Sequence, residues 1–301
     1  MDTLERIEGL GLVGVRDATA ATSPAEEAAI DQRVGAATIP FSWLMRLLPA
    51  SRRKAMQALY AFGSEVGGIV DGKASWTMKL ALLADWRAEI ALLYAGRPEH
   101  IVTRALRDAV DRFDLLCEDF LTIINGKDMD VRDIRAPSLQ YLDLYCEQRA
   151  VAVSRIALRI LGVPPPDGVR LAAPLGRGMQ LTGILRDLAQ DAARQRLYLS
   201  RELLCAHGIF ATMPSYVLAQ PALPQVCNAL AERAAAYFAD AERAMVTRPR
   251  LAMLAATAML SGYRTLLDAL LSRGWTRLDE PVRIPVWHQT ALLTGRSLIG
   301  R

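Results

Sequence analysis

Residues 179–198 read MQLTGILRDLAQDAARQRLY. Asp187 and Asp191 stand four apart, and Gln180 lies seven before Asp187. On a helix this spacing puts the two carboxylates and the amide on one stripe, with neighbouring Cβ atoms about 5–6 Å apart. Like charges at that distance repel and weaken the helix. Oxygen donors facing the same way do suit a hard cation such as Mg²⁺, which takes one or two carboxylates together with substrate phosphates. Arg186 and Arg194 bring cations close, although Arg186, directly before Asp187, points off the stripe. A bare DxxxD is commonly no more than a solvated acidic face. The longer string QxxxxxRDxxxDxxRxRxY is much harder to obtain by chance.

Outward from that helix the chain is written in helix formers. It has 301 residues, 52% of them hydrophobic, with Ala, Leu and Arg prominent. Asn125-Gly126 is its one Asn-Gly pair, and helical sequence precedes it. No fixed-period repeat and no low-complexity linker divides it. The reading is an all-α single domain. Residues 1–35 form a poorly ordered extension. Helical sequence starts near Phe41, breaks at Pro49 and resumes to Asp71 with Ser51 as N-cap. Ser75 or Lys73 opens the next helix, which closes at Gly96 and Pro98. Helices follow over 99–113 and 116–126, the latter stopping at Asn125-Gly126. Asp128 and Asp130 then lie in a connection and cap a helix. A long helix runs 138–161 and is ended by Gly162 and Pro164–Pro166. The acidic helix spans 168–193. A short helix at 200–207, a proline-punctuated stretch at 211–224 and helices at 224–246 and 249–273 complete a bundle. Such a bundle builds its site from side chains on facing helices.

Composition excludes several functions. The net charge is +4 and the pI about 9.0, which admits phosphorylated substrates or an acidic membrane surface. No basic run interleaves with aromatics, so nucleic acid is not expected as a partner. Four scattered cysteines and three scattered histidines make neither a thiolate site nor a triad. The acidic N-terminus lacks the layout of a signal peptide. No uncharged apolar run reaches the ~18 residues of a membrane span. A cytoplasmic protein is expected. Trp287, Leu292, Leu293 and Leu298 in the tail 286–301 could form an amphipathic helix resting on the inner face of the membrane.

The string at 180–198 resembles the second aspartate-rich motif of the squalene/phytoene synthase family, all-α enzymes that join two prenyl diphosphates head to head. Phe41 to Phe62, FSWLMRLLPASRRKAMQALYAF, resembles the family's first long helices. MDVRDIRAPSLQYLDLYC at 129–146 resembles its bacterial presqualene diphosphate synthase branch, and Tyr263 in GYRTLLDALL matches a late family tyrosine. The similarity runs from about residue 36 to 285. It implies an isoprenoid synthase-type bundle with a central apolar cavity, acting on farnesyl diphosphate with Mg²⁺ and without NADPH. Asp187, Asp191 and Asp71 would be metal ligands. Tyr60, Tyr145, Tyr198 and Tyr263 would be catalytic, and Phe41, Gln180, Leu181, Arg186 and Arg194 would bind substrate.

The departures from the family pattern fall on the site. Where the branch reads DDxxD after YAFCREV, this chain reads YAFGSEVGGIVD, with Gly67 and Gly68 in place of two acids and Ser64 in place of an arginine. TIPF at 38–41 replaces a serine-rich phosphate-contacting segment. Gly183 replaces an asparagine, and RAVAVS at 149–154 replaces a VAGxVG-like run. Two readings follow. One is a synthase whose first aspartate motif is degraded. The other is an inactive member that binds lipid or a partner enzyme of the same pathway.

Overall fold

The computed structural model describes residues 48–132, 134–246 and 250–282. Phe41, the leader at 1–35 and the tail at 286–301 lie outside them. The described chain is all helical. Its elements are α1 (Ala50–Asp71), α2 (Trp76–Tyr94), α3 (Ile101–Phe113), α4 (Cys117–Val131), α5 (Leu139–Cys146), a π-helical turn (Glu147–Val151), α6 (Ala152–Leu161), α7 (Pro165–Ala193), α8 (Arg201–Ala206), α9 (Pro214–Leu218), α10 (Leu223–Val246) and α11 (Arg250–Arg273). Among the described residues no helix is long and apolar enough to cross a membrane.

Local chemistry sets most boundaries. Ser75, Ser138 and Ser200 cap α2, α5 and α8, each accepting from a backbone N–H three residues on. Gly162, at φ +87°, ends α6 in the left-handed conformation. The prolines behind it do not terminate that helix but begin the next, since Pro165 occupies the first turn of α7, where no N–H is needed. α1 begins behind Pro49 with no side-chain cap, so Ser51 lies inside the helix and does not cap it.

The sequence reading fails most clearly at Asn125-Gly126. Here α4 runs straight through to Val131. Gly126 is a point of close approach and not a stop: a Cβ there would lie 3.0 Å from the backbone of Gln148 in the π turn. Gly176 of α7 meets the same turn, and its Cβ would fall 2.7 Å from Val151 Cα. The π turn interrupts the helix expected over 138–161, and both glycines are needed for backbones to pack against it. Asp128 and Asp130 are consequently helical: Asp128 pairs with Arg87 and Asp130 is buried.

Two apolar clusters form the interior. Phe62, Trp86, Ile90, Leu106, Phe120 and Ile156 belong to one, built from α1 to α4 with α6. Leu142, Leu175, Leu185, Leu230, Phe238 and Leu267 belong to the other, built around α7, which packs most extensively on α10. An isolated parallel bridge between Arg135 and Leu197 ties the strand-like segment after α4 to the one after α7, with Leu197 N–H donating to Ile134 O at 2.8 Å and Ala136 N–H to Leu197 O at 2.9 Å.

Gly176→Ala should destabilise the fold. The added methyl has no room against Val151, and overpacking of this kind costs about 1–3 kcal/mol. A fall in Tm of several degrees in a thermal melt is expected, at roughly 2–4 °C per kcal/mol for a chain of this class. An unchanged Tm would show that the approach of α7 to the π turn is not tight.

Candidate active site

One cavity of about 400 Å³ takes lining residues from both clusters: Met56 and Leu59 from one, Tyr145, Ile184 and Tyr198 from the other. Its volume is within the roughly 300–1,000 Å³ usual for small-ligand sites. Two helices lay out its length. On α1 the lining passes from Met56, Leu59 and Tyr60 to Gly67, Val70 and Asp71; on α7 it passes from Met179 and Gln180 through Gly183 and Ile184 to Asp187 and Asp191. The twelve steps from Leu59 to Asp71, like those from Met179 to Asp191, span about 18 Å at 1.5 Å per residue. The acids come last on both helices, so the trough is apolar along one part and charged where the two C-termini meet. Arg194 and Arg196 join those ends by donating to Asp71 Oδ1 at 3.3 and 3.2 Å.

All three expected metal ligands line this cavity, as do Gln180, Arg186, Arg194 and all four expected tyrosines. Leu181 does not. It is buried in the α7 cluster, one position off the stripe, and supplies packing and no wall to the cavity. Arg186 also differs from expectation. It folds back from its neighbouring position and grips Asp187 with a two-pronged contact, Nε to Oδ1 at 2.7 Å and a terminal nitrogen to Oδ2 at 2.6 Å. Side-chain length overrides the off-stripe Cα position.

Asp191 carries the electrostatic tension of the site. Burial, and then the Asp187 charge, push its carboxyl up to about 7. A carboxylate pair held so reluctantly is a fit for a cation, and Asp187 with Asp191 could hold one Mg²⁺ together with phosphate oxygens and water. The α1 side offers much less. Asp71 is already engaged by two arginines. Among the described residues no three His, Cys, Asp or Glu side chains gather into a metal-binding group. The two glycines of the altered first motif also differ from each other: Gly67 lines the cavity, whereas Gly68 is exposed on the outside of α1. Gly183 leaves open space, with nothing within 4 Å of where a Cβ would stand.

Sequence reading missed Asp130, Arg149, Lys127 and Arg196, all of which line the cavity. Asp130 is a hub. Its Oδ1 accepts the hydroxyls of Tyr145 at 2.8 Å and Tyr198 at 2.7 Å, and its Oδ2 lies 3.2 Å from Arg149 Nε. The two tyrosine rings stack with centroids 4.9 Å apart. Burial above all raises the hydroxyls of Tyr60, Tyr145, Tyr198 and Tyr263 beyond the ordinary phenol range. None of them is a base at neutral pH; they present protonated hydroxyls and ring faces. The available signal for Asp130 was the four-residue spacing of Tyr145 and Arg149, which places both on one face opposite it. Ser154 also faces the cavity, with a buried hydroxyl that has no partner among the described residues.

The Asp191 shift has a consequence for pH. Its carboxyl titrates near 7 when folded and near 3.8 when unfolded. Between those values the unfolded chain releases a proton that the folded chain keeps, so stability falls as pH rises from about 4 to 7. Thermal melts in EDTA should show this decline, and Asp191→Asn should flatten it and raise Tm at pH 8. An identical pH slope in the variant would contradict the assignment.

Comparison with known proteins agrees with the fold. The squalene/phytoene synthase family model matches residues 36–288. A presqualene diphosphate synthase of Rhodopseudomonas palustris is 42% identical over 256 residues, covering 85% of this chain and 91% of the relative. One from Sinorhizobium fredii is 41% identical with the same coverage. A crystal structure of a dehydrosqualene synthase in complex with ligand superposes with a TM-score of 0.78 at 23% identity, over 90% of this chain and 94% of that one, which shows the shared fold. With its trough of facing helices and its acid pair near the end of α7, the chain belongs to the squalene/phytoene synthase family.

Proposed function

We propose that this chain is a head-to-head prenyltransferase that condenses two farnesyl diphosphates to presqualene diphosphate in squalene or hopanoid synthesis. The observation that carries the reading is the two-part trough: Asp187 and Asp191 sit at its charged part, and Met56, Leu59 and Tyr60 of α1 with Met179 and Ile184 of α7 line the part before it. Relatives at 41% and 42% identity bear the name of that activity.

The residues divide the work. Asp187 and Asp191 would hold Mg²⁺, which supplies Lewis-acid charge to the departing diphosphate. Arg194 and Arg196, anchored on Asp71, stand where the diphosphate would lie and can orient it through charge-assisted hydrogen bonds. As the C1–O bond breaks, its electrons leave with diphosphate. The C2–C3 double bond of the second farnesyl chain then attacks C1, and loss of one proton closes the cyclopropane. The proton can leave on the released diphosphate, because the cavity tyrosines stay protonated. Their ring faces can stabilise positive charge as it passes. Met56, Leu59, Val153, Met179 and Ile184 exclude water that would quench the cation.

A second reading has one observation in its favour. Gly67 and Gly183, at two motif positions, both face the cavity without a donor. A member with those losses could hold a prenyl lipid or a partner synthase without turnover.

Incubating purified protein with labelled farnesyl diphosphate and Mg²⁺ tests the primary reading. Presqualene diphosphate is expected, and the Asp187→Ala/Asp191→Ala variant should form it at least about a hundredfold more slowly. Binding of farnesyl thiodiphosphate with no product from either protein would favour the second reading.

A further inference from the structure

Lys127 is the charged group that the metal-based chemistry leaves unused. It lies in α4 one position past Gly126; the residue is 8% exposed and lines the cavity. Its ammonium is aimed at the altered first motif. A Cβ at Gly67 would lie 3.1 Å from Lys127 Nζ and 3.9 Å from Cε. A carboxylate at position 67 would therefore close on the ammonium and could not reach freely for a metal ion. With glycine there, the ammonium keeps an open path into the cavity.

Its charge is not spent elsewhere. Among the described residues Lys127 makes no hydrogen bond and no close ion pair. Asp130 is occupied by two tyrosine hydroxyls and Arg149, and Asp71 by Arg194 and Arg196. Burial, and then Arg149, pull the ammonium down to about 7 against the counter-pull of Asp130 and Asp71. A buried and unpaired cation is costly unless an anion meets it. The lining as a whole leans the same way: five cations (Lys127, Arg149, Arg186, Arg194, Arg196) face four carboxylates (Asp71, Asp130, Asp187, Asp191).

We propose that Lys127 Nζ binds the substrate diphosphate directly, occupying the place of the cation that an acidic first motif would hold, so that the α1 side of the site works without a metal ion. Gly67 and Lys127 then form a matched pair, in which the lost acid makes room for a fixed positive charge. This rests on the prenyl-diphosphate reading above. It confines metal to Asp187 and Asp191 and makes part of the diphosphate affinity independent of Mg²⁺.

Calorimetric titration of the full chain with inorganic pyrophosphate in EDTA tests this directly. Wild type should bind, Lys127→Met should bind at least tenfold more weakly, and Lys127→Arg should retain most of the affinity. The Tm of Lys127→Met without ligand should be unchanged or higher, because a buried unpaired charge is gone; a merely structural lysine would show a loss. In the presence of farnesyl thiodiphosphate, Gly67→Asp/Lys127→Met should bind one more Mg²⁺ per protein than wild type. Equal pyrophosphate affinity of wild type and Lys127→Met in EDTA would overturn the proposal, as would equal Mg²⁺ stoichiometry of wild type and the double variant. Failure of wild type to bind farnesyl thiodiphosphate at any Mg²⁺ concentration would remove the prenyl-diphosphate reading itself and the proposal with it. Normal Mg²⁺-dependent binding with no effect at Lys127 would remove the proposal alone.

Discussion

A single buried carboxylate organises the site. Asp130, 5% exposed, is reached by the hydroxyls of Tyr145 and Tyr198 and by Arg149. The carboxylate and its partners bring together three separate parts of the chain: α4, the end of α5 with the π turn, and the segment leaving α7. A carboxyl at that depth is tolerated only when its oxygens find partners. Satisfying them fixes the rotation of α4, the place of the π turn and the path of residues 196–198. The π turn can come close enough only because Gly126 and Gly176 present no side chain to it. Polar pairing and close packing therefore depend on each other.

The same geometry explains the charge balance of the cavity. Asp71 is the last residue of α1 and Asp191 lies in the last turn of α7. Helix C-termini carry partial negative charge, which opposes acids placed there. Two such ends converge, and the resulting field favours cations. Arg194 and Arg196 answer it on one side, and Lys127 stands on the other. Asp187 is held in an ion pair by its own neighbour, Arg186. Asp191 is left with burial and repulsion, which is where an added divalent ion would gain most. The site is asymmetric: a carboxylate pair on α7 suits metal, and the cations beside it come from α4 (Lys127), the π turn (Arg149) and the segment after α7 (Arg194 and Arg196).

How much of this was legible in the sequence varies with the type of residue. The acidic stripe of α7 was readable because helical spacing alone puts Gln180, Asp187 and Asp191 on one face. Leu181 was misassigned because adjacency to a site residue along the chain means a different direction around a helix, here into the core. Asp130 was read as a loop acid because Asn125-Gly126 looks like a helix stop. That pair gives no local sign that a π turn will press against Gly126. The glycines at 67 and 68 read as equivalent losses, yet helix rotation turns one into the cavity and the other to solvent.

By itself, the sequence determined the helical class, the helix start at Ser75, the stop at Gly162 and the shared face of Asp187 and Asp191, since each depends on bonds or spacings within a few residues. Only the tertiary structure decided that Asp71 would be bridged by Arg194 and Arg196, that Asp130 would gather two tyrosines and an arginine, and that Lys127 would point at the space beside Gly67. Those contacts join residues from 15 to 125 positions apart. They are set by how closely helices can pack and by which buried charges must find partners, and neither can be read from one segment alone.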